Sequence, residues 1–322
     1  MRAILQSGFG RPGAVLSLGR VERPSPGPGE VLVGVRASGI AKGVWLVSQG
    51  LPYIARPVYG ILRPRHRVGG LQFSGTVHEV GPLVSGVSAG EAVFGFGHGL
   101  AEFVVVQPEA VAKKPARLSF EQAAAAPISG LAALQAVRDG ARVKPGDRVL
   151  VLGASGSVGS FAVQIAKAWG AEVTGVASTR NLTTLWALGA DRVVDYTRED
   201  PAGHRCRYDA IIDIAGNRPV SRLRHALAPK GSLVMVGGTG GRWTMGFERT
   251  VRGMLTGWFV RHRIVGLISK PNSADLALLA ALMGSGKVIP VVRARYALNR
   301  APAAVEAAGE STGAGTVVVA IR

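Results

Sequence analysis

The sequence predicts an α/β protein in which a doubly wound, parallel six-stranded sheet is inserted in a mainly β domain. Three observations carry that expectation. Residues 119–267 alternate β-like runs with helical or turn segments, and six runs can be counted: RVLVLGA, EVTGVA, RVVDY, AIIDIA, SLVMVGG and RIVGLI. Such alternation builds parallel sheets, and six strands make two three-stranded halves. Residues 1–118 instead hold short β-like runs cut by Gly and Pro, whereas 268–322 are too few for a domain of their own.

Taken in order, the first zone offers EVLVGVRASGI, SGTVHEVG, EAVFGFG and AEFVVVQ as strands. AAAAPISGLAALQAV (123–137) is apolar but short and carries Pro127, Ser129 and Gln135, so it reads as a buried helix. After the strand at 149–152, apolar residues at Val158, Phe161, Ala162, Ile165, Ala166 and Trp169 follow the spacing of a helix laid on a sheet. The tail reads as helix 274–283, strand 288–292, helix 301–308 and strand 316–321. Packed back on the first zone, it gives one domain of 1–118 with 268–322, and a second of 119–267.

Composition narrows the partners. Hydrophobic residues make up 47% and charged residues 18%, as in a globular protein. The N-terminal residues show no secretory pattern, and no uninterrupted apolar run suits a membrane span. Cys206 is the only cysteine, which excludes internal disulfides and a four-cysteine zinc site and fits a reducing, cytoplasmic location. The formal net charge of +18 comes from 30 Arg and 8 Lys dispersed along the chain, with only 6% aromatic residues. Without stacking platforms beside the charge, no nucleic-acid partner is expected.

The strand at 149–152 runs into Gly153-Ala154-Ser155-Gly156-Ser157-Val158-Gly159 and then a helix. Gly156 lets a backbone approach a pyrophosphate, Gly159 allows close packing of helix on strand, and the helix start offers N–H groups to an anion. Ala154 takes the first glycine place of the G-x-G-x-x-G pattern. With a strand before it and a helix after it, the turn reads as a dinucleotide site. NAD-binding folds place an acid at the tip of the second strand, whereas this chain has Ala177-Ser178-Thr179-Arg180. A hydroxyl and a guanidinium suit a 2′-phosphate, which favours NADP(H).

These motifs, with PGPGEVLVGVRASGI, GGLQFSGTVHEVG, GLAEFVVVQPEAVAKKP, GADRVVDYT, YDAIIDIAGN and GKVIPVV…GAGTVVVAI, resemble the medium-chain dehydrogenase/reductase superfamily and its zinc-independent, quinone oxidoreductase-like branch. The resemblance covers nearly the whole length. It implies a Rossmann sheet inserted in a GroES-like catalytic domain, with the pyrophosphate on Ala154, Ser155, Gly156, Ser157, Val158 and Gly159. It further implies Ser178, Arg180 and Tyr196 near the 2′-phosphate. Gly216, Asn217, Val236, Gly237 and Gly238 fall at strand ends where a dinucleotide lies, and Lys270 and Asn272 near the nicotinamide half. Where zinc-dependent members have Gly-His-Glu, this chain has Gly70-Leu71-Gln72, so no metal ligand set is expected, and His66, His78 and His98 read as loop or surface residues.

On the substrate side the chain departs from its relatives at Val44, Gln72 and Ala132. Tyr53 is the expected proton donor, with Lys42 as a second catalytic candidate and water as an alternative source. Trp45, Tyr59 and Ala132 are expected around a small-molecule substrate. The resulting expectation is hydride transfer to an enone or quinone. Alternatives are metal-free reduction of a ketone or imine, or a catalytically degenerate, nucleotide-regulated protein binding RNA or a membrane surface. Similar proteins pair subunits through the fifth and sixth strand regions, so a homodimer is one arrangement left open.

Overall fold

The computed structural model describes residues 1–203, 207–257, 260–310 and 313–321. Cys206, the subject of the redox argument, lies outside them. The parallel sheet has six strands, in chain order Arg148–Leu152, Glu172–Ala177, Arg192–Asp195, Tyr208–Asp213, Leu227–Met235 and Arg263–Gly266. In space they stand third, second, first, fourth, fifth, sixth. The order reverses between the first and fourth strands, which leaves a crevice at their carboxyl ends. The first and fourth strands are apolar because both faces are covered: Val149–Leu152 and Ala210–Asp213 are all buried. On one face lies the helix Ser157–Ala168, whose Phe161, Ala162, Ile165 and Ala166 join the main core cluster.

The remaining strands form a mostly antiparallel sheet around Val31–Ile40, the long strand that pairs with Gln72–Val80, Phe103–Val106 and Thr316–Ala320. Thr316–Ala320 pairs in parallel with Val292–Ala297, so the end of the chain completes the sheet that its beginning starts. A separate two-stranded ribbon joins Arg2–Gln6 to Leu16–Arg20.

Two sequence expectations need correction. The apolar run at 123–137 is not one helix. Phe120–Ala124, capped by Ser119 and Gln122, ends before Pro127 begins Pro127–Gln135, and the chain then widens into a π-turn at Ala136–Ala141. Proline lacks the N–H that would continue the first helix. The strand expected at 288–292 lies later, at Val292–Ala297. Pro290 has no ladder donor, and of residues 288–292 only Val288 and Pro290 are buried.

Candidate active site

The turn after the first strand is built by close approach. Gly153 has φ +76°, a left-handed conformation that favours glycine. Gly156, in extended conformation, begins the helix Ser157–Ala168, and no side chain caps that start. Its first-turn N–H groups and positive dipole end are therefore not occupied by a capping side-chain oxygen. A Cβ on Gly159 would stand 2.1 Å from the Gly153 carbonyl oxygen, so helix and strand touch there backbone to backbone. Ala154 is fully buried beneath the turn. The other domain reaches this point too: Gly315 N–H donates to the Ser155 carbonyl (2.9 Å), and Ser157 Oγ donates to the Gly315 carbonyl (3.1 Å).

The tip of the second strand lies against the same turn. Asn181 is buried, and its amide donates to Ser155 Oγ (3.3 Å) and Ser178 Oγ (3.4 Å). Sequence reasoning missed this residue. Arg180 is exposed and makes no ion pair or hydrogen bond among the described residues, so its guanidinium is available to an anion beside Ser178. Asp195, at the end of the third strand, is buried and engaged by its own neighbours: the Thr179 and Thr197 hydroxyls and the Thr197 N–H donate to it. Those bonds, Thr179 foremost, hold its carboxyl below the usual aspartate range. Tyr196 beside it is half exposed. With Arg198, Arg218, Ser221 and His225 it borders a depression of about 820 Å³.

At the fourth and fifth strand ends, Gly216 has φ +66°, and a Cβ there would stand 2.5 Å from the Gly237 carbonyl oxygen. Gly237 is equally close to Ile214, and Gly238 to Met245. These glycines are thus explained by loop-on-loop packing. Asp213, fully buried, ties the region together. It accepts from Gly216 N–H (2.9 Å) and from Arg249 Nη2 (2.6 Å), while Arg249 Nε donates to the Arg218 carbonyl. A carboxylate ending an apolar strand was the available sequence signal. Val236 is half-buried, and its N–H donates to the Asp213 carbonyl. Asn217 is exposed.

Where the chain leaves the parallel sheet, Gln135 accepts from Lys270 N–H and donates to the Lys270 carbonyl and to Asp275. Asn272 caps the helix Ser273–Gly284, its Oδ1 accepting from Asp275 N–H (2.8 Å), and its amide nitrogen also bonds Asp275. Both polar ends of Asn272 are therefore occupied by the junction, while the Lys270 side chain is exposed. Burial alone would raise the Asp275 carboxyl, but hydrogen bonds from Arg138, Gln135 and Asn272 outweigh it and hold the group at about 2.

On the substrate side, Tyr53 sits where the two domains meet. Its N–H donates to the Arg242 carbonyl (3.0 Å), its ring meets Trp243 edge-on at 5.5 Å, and the guanidiniums of Arg56 and Arg242 lie over it at 4.7 and 5.5 Å. Tyr59 is half-buried, which pushes its phenol up, and Ala132 is buried in Pro127–Gln135. Lys42 is exposed at the start of the helix Lys42–Gln49 and forms no ion pair among the described residues. Trp45 packs inward: a Cβ on Gly309 would stand 2.3 Å from its Nε1, so the indole lies against the helix Ala301–Gly309.

His66 and His98, distant in sequence, stack at 4.3 Å, and burial, then the nearby His66, lowers the His98 ring. His78 is a surface residue beside Glu79. Among the described residues no three His, Cys, Asp or Glu side chains gather as a metal site. Leu71 has no donor atom, and the Gln72 amide oxygen accepts from Ile128 N–H at 2.8 Å. The residues at Gly70-Leu71-Gln72 do not fit a zinc ion.

A six-stranded dinucleotide-type sheet, a glycine turn at its switch point and a second, mainly β domain define a two-domain protein of dinucleotide-binding architecture. Residues 27–116 match the family described as "Alcohol dehydrogenase GroES-like domain", and residues 188–319 that described as "Zinc-binding dehydrogenase". A chloroplast envelope quinone oxidoreductase homolog of Arabidopsis thaliana is 30% identical over 336 residues, covering 99% of this chain and 98% of its own. The quinone oxidoreductase of Lama guanicoe is also 30% identical, covering 100% and 98%. The solved quinone oxidoreductase of Coxiella burnetii superposes with a TM-score of 0.86 at 29% identity, covering 100% and 99%. The chain belongs to the medium-chain dehydrogenase/reductase superfamily, with quinone oxidoreductase-like relatives, and is an oxidoreductase enzyme. No helix among the described residues is long and apolar enough to cross a membrane.

Proposed function

We propose that the protein is a zinc-independent reductase that uses NADPH to reduce an electron-poor small molecule, an enone or a quinone. The observation that carries this reading is the pairing of an uncapped helix start at Gly156-Ser157 with the unpaired guanidinium of Arg180, joined through Asn181. Bound NADPH would supply hydride from its nicotinamide.

The chain's own work is to bind, orient and exclude water. Ser155 to Gly159 would take the diphosphate through backbone N–H groups, while Ser178 and Arg180 take the 2′-phosphate by charge-assisted hydrogen bonds. Tyr196 would border the adenosine. The glycine-lined ends of the fourth and fifth strands would support the nicotinamide half, with the Lys270 side chain near it. Asn272 acts in this reading through the junction it caps. Tyr53 would donate the proton that completes reduction, and Lys42 would bias the cleft toward developing negative charge. Tyr59 and Ala132 would border the substrate, while Trp45 supports that wall from behind.

The domain boundaries at 118/119 and 267/268, a cytoplasmic location and a homodimer joined at the free edge of Arg263–Gly266 belong to the same proposal. Mixing the purified protein with NADPH and a panel of enones, quinones, ketones and imines, with and without a chelator, tests it. Loss of nicotinamide absorbance with an enone or quinone, unaffected by chelator, is the expected result. Turnover confined to ketones or imines, or nucleotide binding without turnover, would overturn the substrate class.

A further inference from the structure

Beside Tyr53 and Tyr59, the surface carries exposed apolar tips to which the proposed reaction assigns no role. Ile54, Val58, Ile61 and Leu62 project from residues 51–68 with 58, 67, 67 and 86% of their surface exposed, and Trp243 is 72% exposed. Single exposed aliphatic residues are ordinary on soluble proteins, but a cluster marks an interaction surface.

The two segments form one patch. Ile54 N–H donates to the Trp243 carbonyl (3.2 Å), next to the bond from Tyr53 N–H to the Arg242 carbonyl. Ile61 and Leu62 stand at the apex of a closed loop, since Gly60 N–H bonds the Arg56 carbonyl and Arg65 N–H bonds the Tyr59 carbonyl, both at 2.8 Å. The apolar tips are therefore held outward by backbone hydrogen bonds.

Charge around them is mainly basic, although the Glu248 carboxylate accepts from the Thr244 hydroxyl next to Trp243. Arg63, Arg65, Arg67 and Arg242 are exposed and form no ion pair among the described residues. From Val31 to His78 the chain contains no Asp or Glu. The net charge of the whole protein, +18, adds a long-range field of the same sign.

We propose that this patch docks the protein on the surface of an anionic phospholipid bilayer. Ile61, Leu62 and Trp243 enter the boundary between headgroups and acyl chains, and the arginines meet lipid phosphates. Aliphatic tips plus an indole suit that boundary, and the basic rim supplies the second signal that stable peripheral binding requires. A second copy on this face would oppose arginine to arginine across a two-fold axis, and RNA would find aliphatic tips where stacking rings are needed. The inference goes beyond the proposed reaction and does not depend on it.

Sedimentation of the purified full-length protein with phosphatidylcholine vesicles, with and without phosphatidylglycerol, tests it. Binding is expected only with phosphatidylglycerol and should weaken as salt rises. Ile61→Ser with Leu62→Ser, which keeps the charge, should abolish it, and Arg63→Gln or Arg65→Gln should each weaken it about fivefold. Circular dichroism melts verify that the variants are folded. Absence of binding at low salt would overturn the proposal, as would binding unchanged in the doubly serine-substituted protein. So would a dimer of the parent protein that the serine pair dissociates.

Discussion

Alanine at Gly159 and alanine at Gly156 should separate folding from nucleotide binding, although the two glycines lie three residues apart. A Cβ on Gly159 would stand 2.1 Å from the Gly153 carbonyl oxygen, 2.6 Å from Ala154 Cα and 2.7 Å from the Ala154 carbonyl carbon. All three are backbone atoms of the turn, so the helix must shift off the strand. Overpacking of this kind costs about 1–3 kcal/mol, against which alanine's helix preference returns at most about 1 kcal/mol. At Gly156 the nearest atom to an added Cβ is the Gly153 oxygen at 3.4 Å, an ordinary contact, and φ −66° with ψ 176° suits any residue. Stability should change there by no more than about 1 kcal/mol, the difference between a glycine and an alanine cap. The new methyl would instead stand between the helix start and a diphosphate. Weakening charge-assisted hydrogen bonds worth about 1.5–3 kcal/mol corresponds to about 10–100-fold in affinity. Thermal melts without nucleotide and titrations with NADPH read the two effects. Gly159→Ala should melt lower, by about 2–4 °C for each kcal/mol lost. Gly156→Ala should melt near the parent yet bind weakly. Unchanged NADPH affinity in Gly156→Ala would refute the assignment of the turn.

Three further outcomes follow from the polar networks. The Asp275 carboxyl, at about 2 in the folded protein against 3.8 ordinarily, contributes stability fully present above about pH 4. That contribution disappears as pH falls through about 2, and Asp275→Asn should flatten the acid limb of stability against pH in denaturant titrations. Arg249→Met would leave fully buried Asp213 with its charge uncompensated, a loss of about 3–5 kcal/mol seen in chemical unfolding. Tyr53→Phe should lower kcat about 100-fold if the phenol donates the proton, with the melt unchanged. An unchanged kcat would exclude the Tyr53 phenol as the proton donor.

Legibility in the sequence followed distance along the chain. The strand, turn and helix at 148–168 could be read because their signals are local: an apolar run, glycines, then apolar residues at helical spacing. The parallel, six-stranded character of the sheet follows from the alternation of elements, whereas the order of its strands is seen only in the fold. The expected strand at 288–292 erred because its apolar residues outweighed Pro290, which cannot donate to a ladder. What sequence reasoning missed were contacts between distant residues. Asn181 meets Ser155 across 26 positions, Arg249 meets Asp213 across 36, Gln135 meets Asp275 across 140, and Ser157 meets Gly315 across 158. Ser155 and Ser157 lie in the glycine turn and Asp213 ends an apolar strand, but no local pattern points from them to Asn181, Gly315 or Arg249. Lys270 and Asn272 are expected near the nicotinamide half, whereas the helix cap that Asn272 makes with Asp275 N–H is a bond that only the fold reveals.

In the proposed function a bare helix start would take the diphosphate, and Arg180 beside it would prefer the phosphorylated adenosine. Comparing NADPH and NADH binding to the parent protein and to Arg180→Glu tests it most directly, with nicotinamide fluorescence as the readout. The parent should prefer NADPH, and Arg180→Glu should weaken NADPH about 10–100-fold while NADH changes little. Tighter binding of NADH by the parent, or NADPH affinity indifferent to the substitution, would contradict it.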